Sequence, residues 1–440
     1  MDVNEYIELN LVHSLHNSQR MSHRGCKRKY DWIYRHGYYP QVTAKPLEFG
    51  VAFHKAMETF YNPSTWNDKE VAEALAKVVF VATCDEQFKE FSRLNPGLVG
   101  PEVAADYQER KDLGLGMLKH YFKYESPAHD DNLTPVHVEI SFEVPISGPN
   151  GQTLWCKCTR CWTKQVAYWK SQGVDVDADP SNEFAKTFEP ERAHSIYTTM
   201  NKWTWRRVNG LLWDGLPVTF GGRIDCLVKD AYGRYWIVDW KTAAKLSTGE
   251  PGADDDFLWL DDQITGYCWA MWVLGIKIAG FVYAEIKKAV PEEPEPNKTI
   301  RLGRMFSVNR QINTTYEMYF STVRDNDPVA FSNGLYDDFF EFLRSPAGPK
   351  YHLRHQIHRT EYELQQAGVN LYNEACDILA ENARIYPTPG RFSCGYCAFK
   401  EPCLSKNRGE DYLYTLETLF DKRTKHYFEE SEPSTDKAKS

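Results

Sequence analysis

The sequence contains no apolar run long enough to span a bilayer, so no membrane-crossing helix is expected. It has no GxxxxGK[ST] phosphate loop, which argues against an ATP-driven motor within this chain. No internal repeat recurs, and the opening stretch MDVNEYIELNLVHSLHNSQR lacks the basic-then-apolar pattern of an export signal. The expectation is a soluble, cytoplasmic protein. Positive charge is in deficit: 52 Lys and Arg stand against 61 Asp and Glu, a net charge of −9. That balance does not advertise nucleic-acid binding, yet an acidic metal site can coexist with local basic patches. Disulfide staples are not expected either, because eleven cysteines is an odd number and the chain is too large to need them.

What is present is enough apolar residue, 42% with 14% aromatic, to build one large domain or two to three ordinary ones over 440 residues. Arg20, Arg24, Lys27, Arg28, Lys29 and Arg35 crowd one short stretch, either a solvated helix face or a basic patch. Apolar spacing predicts a helix over 47–60 and a long helical region over about 67–125. HVEISFEVPI, 137–146, alternates like a strand and runs into the turn signal SGPNG. Residues 150–215 show weak periodicity and read as an insertion. A hairpin from VTFGGRIDCLV and RYWIVDWKT follows, then one amphipathic helix over 257–275, a strand over 278–288, and a mostly helical region over 311–382 broken near SPAGPK. The tail beyond about 425 is charged.

The hairpin carries the chemistry. With Ala231-Tyr232-Gly233 as a three-residue loop closed by glycine, a favoured connection, Asp225 falls opposite Asp239. Asp239 and Lys241 share a face because residues two apart in a strand point the same way. Two carboxylates set against each other are unfavourable unless a positive group lies between them. A divalent cation suits that position, since hard cations take carboxylate oxygens. Lys241, one step along, is placed to hold a water or to stabilise charge on a phosphate. This arrangement suits metal-assisted phosphodiester hydrolysis; a surface hairpin with an ordinary Asp–Lys pair is the bland alternative. On the 47–60 helix Gly50, His54 and Glu58 line one face, so His54 offers an imidazole ligand. Gln263 and Tyr267 likewise share a helix face.

The ordered set Gly50-x3-His54-x3-Glu58, Gly222-x2-Asp225, Asp239-x-Lys241 and Gln263-x3-Tyr267 resembles the PD-(D/E)XK nuclease superfamily, and within it the RecB-like branch. The resemblance implies an α/β, restriction-endonuclease-like core, a mixed β-sheet flanked by helices. It implies His54, Asp225 and Asp239 as ligands to Mg²⁺ or Mn²⁺ and Lys241 as the catalytic lysine. Gln263 and Tyr267 would support the site and contact DNA. The implied activity is a DNA exonuclease of recombination, repair or phage DNA processing. Linear or single-stranded DNA ends are the expected substrate, a recombination or single-strand annealing protein the expected partner, and the cytoplasm, a phage host's included, the location. The alternatives are a non-catalytic DNA-binding adaptor that keeps the fold, an endonuclease, or an enzyme directed at RNA. The long stretch before Asp225 departs from the family's shared core.

The cysteines cluster twice. Cys394-x2-Cys397-x5-Cys403 supplies three thiolates, with Cys26 the best fourth ligand. Zinc fits that set. One distant cysteine ahead of C-x2-C-x5-C also resembles the iron–sulfur subgroup of RecB-like nucleases, which implies a 4Fe–4S cluster joining the two ends of the chain. Cys156, Cys158 and Cys161, with His194 as a fourth ligand, either bind zinc or are inert; Trp155, Trp162, Trp169, Trp203 and Trp205 nearby either stack on bases or form the insertion's core. The expected layout is 1–149 for the N-terminal helical part with the first cysteine and first core strand, 150–215 for the insertion, 216–390 for the nuclease core and helices, 391–405 for the cysteine module and 406–440 for a helical, charged tail.

Overall fold

A computed structural model describes residues 14–41, 45–149, 154–156, 196–198, 206–208, 211–213, 216–247, 255–380 and 383–422. Its centre is a six-stranded mixed sheet: β1 (Ser14–His16), β2 (Leu133–Pro145), β3 (Thr219–Asp230), β4 (Tyr235–Ala243), β5 (Ile278–Lys287) and β6 (His352–Ile357). β2 runs antiparallel along β3 from Thr219 to Asp230. β1 pairs in parallel with Thr219, Phe220 and Gly221, whereas β4 pairs antiparallel with Cys226 to Lys229. β5 lies parallel to β4, and β6 antiparallel to β5. Residues 222–225 therefore have β2 beside them but neither β1 nor β4, and the sheet forks there.

Each face of the sheet buries its own core. On one side α1 (Lys45–Phe60), α2 (Lys69–Leu94) and α3 (Pro101–His120) pack on Cys226, Val228, Trp236, Val238 and Trp240. α1 presents Phe49, Ala52, Phe53, Ala56, Met57 and Phe60, the spacing of one helical face, and all are buried. Rings buried this way contribute roughly 1.5–3 kcal/mol each. On the other side α4 (Asp262–Val273) and α5 (Glu361–Leu379) pack on Phe220, Ile224, Leu227 and Ile237. The side-chain period of two thus holds along β4 as the sequence predicts.

Two expectations are corrected. The stretch 257–275 is two helices, Asp255–Leu260 and α4, because Asp261 between them is extended and its carboxylate caps the backbone N–H groups of Gln263 and Ile264. The mostly helical region 311–382 breaks at SPAGPK, 345–350, as expected, but HLRHQI, 352–357, beyond the break is the strand β6 rather than helix. Its helical reading failed because the residues it turns inward, His352 and Arg354, are polar. Within 150–215 short strands stand at 154–156, 196–198, 206–208 and 211–213. Cys158, Cys161, His194, Trp162, Trp169, Trp203, Trp205 and the tail beyond 422 lie outside the described residues, as do the side chains of Trp155 and Cys156.

Candidate active site

The hairpin turn matches the three-residue loop. Asp230 N–H donates to Arg234 O at 3.0 Å, Gly233 N–H to Asp230 O at 2.9 Å, and Gly233 has φ +80°, the left-handed conformation that loop requires. The ladder ends at Val238 against Cys226, which sets Asp225 one step beyond, opposite Asp239. There the Trp240 N–H, which a continuing ladder would spend on backbone, donates to Asp225 Oδ2 at 3.3 Å.

The fork has a cause in the neighbouring strand. Val138 belongs to the α1 side of the sheet while Ile140 packs on the α4 side, though both have the same strand parity. Between them Glu139 has φ 53°, a conformation L-residues rarely adopt. Ile224 and Leu227 show the same break in alternation across Asp225. Both strands therefore change face at one level, and Asp225 is released from the regular ladder. Such strain costs on the order of 1–3 kcal/mol and concentrates at functional sites.

His54 on α1 approaches with Nδ1 3.2 Å from Asp225 Oδ2. Burial pushes the Asp225 carboxyl up, but the hydrogen bond from His54, the charges of His54 and Lys241, and the Trp240 N–H outweigh it, and its pKa lies below the ordinary value. Asp239 is 3% exposed. Burial pushes its pKa up to about 6, with Lys241 opposing and the Asp225 charge adding to the rise. Lys241 Nζ donates to Asp239 Oδ1 at 2.8 Å and lies 2.6 Å from Oδ2. Burial disfavours the ammonium, yet the two aspartates hold its pKa above the ordinary lysine value.

Tyr267 and Gln263 on α4 are hydrogen-bonded to each other; burial and the Asp239 charge push the Tyr267 hydroxyl up to about 12. A side chain at Gly222 would meet the Phe142 ring at 2.6 Å and the Tyr267 ring at 2.9 Å, so this glycine lets the tyrosine close over the strand.

Sequence reasoning missed Glu139 and Arg223. Arg223 Nε lies 2.6 Å from Glu139 Oε2. Burial pushes Glu139 up to about 7, Arg223 opposing it and the charges of Glu58 and Asp225 adding to it. No local pattern singles Glu139 out, since it shares the polar phase of the strand with His137, Ser141 and Glu143.

Two carboxylates and an imidazole have the donor chemistry that a divalent cation takes. Asp239 Oδ2 is buried with the Lys241 ammonium 2.6 Å away, and the nearby Asp225 carboxylate and His54 imidazole are ordinary metal ligands. Among the described residues the three groups do not all approach within 4.8 Å of one another. Lys241 compensates one acid and His54 the other.

The chain matches the description "PD-(D/E)XK nuclease superfamily" over residues 18–404. It belongs to that superfamily. No curated protein matches the chain. Superfamily membership implies a nuclease with DNA as substrate, and such nucleases typically use divalent metals. Among the described residues no helix is long and apolar enough to cross a membrane.

The cysteine module brings the chain ends together. Cys26 stands between the helices Asn17–Gly25 and Lys27–Tyr30, Cys394 lies in the helix Arg391–Gly395, and Cys403 in Lys400–Arg408. Burial pushes the Cys397 thiol up, and Cys26 and Cys394 add to the rise. Cys403 Sγ accepts from Arg28 Nη1 at 3.2 Å and Cys394 Sγ from Gly390 N–H at 3.4 Å. Trp32 packs on Phe399, Phe399 stacks on Phe420, and Tyr38–Pro40 pairs with Phe420–Lys422. Among the described residues no three of these thiols lie within 4.8 Å of one another, so they are not gathered around a single ion. The N-terminal basic cluster is not simply a solvated face. Arg20 is buried against Glu374 at 2.5 Å, Arg24 pairs with Asp262, and Arg35 donates to Ile378 O.

Proposed function

We propose that this protein is a metal-dependent DNA exonuclease of the RecB-like kind, acting on DNA ends. The observation that carries the reading is Asp239, a carboxylate buried at a fork in the sheet, clasped by the Lys241 ammonium and placed opposite Asp225. His54, Asp225 and Asp239 would hold Mg²⁺ or Mn²⁺. When bound, that ion supplies an activated water and stabilises charge on the scissile phosphate. Lys241 holds the water's position and offers its ammonium to the phosphate, while Tyr267 and Gln263 close the α4 side of the site. Cys26, Cys394, Cys397 and Cys403 would hold a 4Fe–4S cluster that fixes the C-terminal module to the N-terminal helices. The setting proposed is recombination, repair or phage DNA processing alongside a single-strand annealing partner, since the chain itself carries no GxxxxGK[ST] phosphate loop.

The test is incubation of purified protein with Mn²⁺ and end-labelled linear DNA beside the same sequence as a closed circle. Loss of the linear DNA alone, abolished by Asp239→Ala and by Lys241→Ala, supports the reading. Cutting of the circle makes the enzyme an endonuclease. Intact DNA in every lane, or cleavage that survives both substitutions, overturns the proposal. Iron content measured after anaerobic purification tests the cluster, and a colourless protein carrying only zinc refutes it.

A further inference from the structure

A second group of metal-binding side chains lies away from this site, where the end of α3 meets the edge strand β6. The chain leaves α3 at His120, makes a π turn over Tyr121–Glu125 and a short helix over Ser126–His129. Glu125 and His129, four residues apart, thus share one helical face. β6 opens with His352, directed at the same place.

Glu125 is 5% exposed, and among the described residues its partners within 4.0 Å are three imidazoles. Its Oε2 lies 3.1 Å from His352 Nδ1 and 3.6 Å from His129 Nε2. Its Oε1 lies 3.4 Å from His120 Nε2. One ligand atom from each of Glu125, His129 and His352 falls within 4.8 Å of the other two. Ligand atoms at the corners of a tetrahedral zinc site are ~3.3 Å apart, from metal–ligand bonds of 2.0–2.1 Å. The two contacts at Oε2 bracket that spacing.

Two further observations point to a missing ion. Nε2 of His352 is buried with no hydrogen-bond partner. Buried polar atoms are nearly always satisfied. A cavity of about 10 Å³ borders Glu125, His120 and His352, room for one water as a fourth ligand. His129, with its side chain 44% exposed, gives an ion a route from solvent.

We propose that Glu125, His129 and His352 form a structural zinc site, with His120 steadying the carboxylate oxygen that faces away from the metal. Two or three imidazoles with one carboxylate suit Zn²⁺ better than Mg²⁺. The ion would pin the α3–β2 connection to the outermost strand, independently of nuclease chemistry at Asp225 and Asp239.

The full chain is stripped with chelator, reloaded with Zn²⁺, desalted, and its metal counted. Wild type is compared with His129→Ala, a partly exposed position whose truncation spares the core, and with Cys394→Ser/Cys397→Ser. The expected result is that His129→Ala holds one zinc fewer than wild type and loses its part of the zinc-induced rise in Tm. The double cysteine variant keeps that zinc, and Co²⁺ placed there shows ligand-field bands without thiolate charge transfer. Equal zinc content in wild type and His129→Ala overturns the proposal, as does failure of the cysteine variant to take up any zinc.

Discussion

Replacing Lys241 with Met tests whether the acid–ammonium pair is built for chemistry at a cost to the fold. Asp239 has a pKa of about 6 against an ordinary 3.8. At 1.36 kcal/mol per unit, ionising it in the folded chain costs about 3 kcal/mol relative to the unfolded one. The native state binds this proton more tightly than the unfolded state. The group's contribution to stability is therefore greatest below pH 4, is lost between about pH 4 and 6, and is flat above. Lys241 already lowers that cost, donating to Asp239 Oδ1 at 2.8 Å. Removing it leaves a buried anion unpaired, a loss of about 3–5 kcal/mol when one partner of a buried pair is deleted. Lys241→Met should therefore lower urea-unfolding stability by that amount at pH 7.5 and by much less at pH 5, where Asp239 takes up a proton instead. Asp239→Asn added to Lys241→Met should recover most of the stability but none of the cleavage, which is expected to fall about 100-fold or more in either protein. Equal stability of Lys241→Met and wild type at pH 7.5 would refute the reasoning. So would a double variant no more stable than the single one.

Asp261→Ala removes the cap of α4 and should cost about 1 kcal/mol in thermal unfolding. Because α4 carries Gln263 and Tyr267, KM for DNA should rise, and Asp261→Asn should restore both. Arg354→Met strips a guanidinium that lies 2.7 Å from Asp130 and donates to Tyr121 at 2.8 Å, within a buried set that includes Tyr61. Denaturant titration should show a loss of about 3–5 kcal/mol, with specific activity unchanged well below the new Tm. A matching loss of activity would show that this network supports the site directly.

The parts of the fold that were legible in the sequence are those where burial and polarity agree. α1 announces itself through six apolar residues on one face, and β4 through the apolar run Tyr235-Trp236-Ile237-Val238 with Gly233 placed for its turn. β6 was illegible because its inward residues, His352 and Arg354, are satisfied by Glu125 and Asp130, which come from a distant segment. No local pattern can report such partners. Among the site residues, Asp225, Asp239 and Lys241 could be placed by register alone, since one turn fixes the hairpin. Glu139 could not, because its importance lies in a left-handed φ that nothing in HVEISFEV requires.

That residue also explains why the register argument works better than it should. An uninterrupted ladder would have used the Trp240 N–H on β3 backbone and fixed Asp225 by the regular alternation of a strand. The face change at Glu139 and Asp225 breaks the pairing at one level, and the freed N–H is taken up by the Asp225 side chain. The carboxylate is thereby fixed by main-chain geometry rather than by a flexible neighbour. Backbone strain in β2 is thus converted into positional order at the acid opposite Asp239, the form of preorganisation that electrostatic catalysis needs.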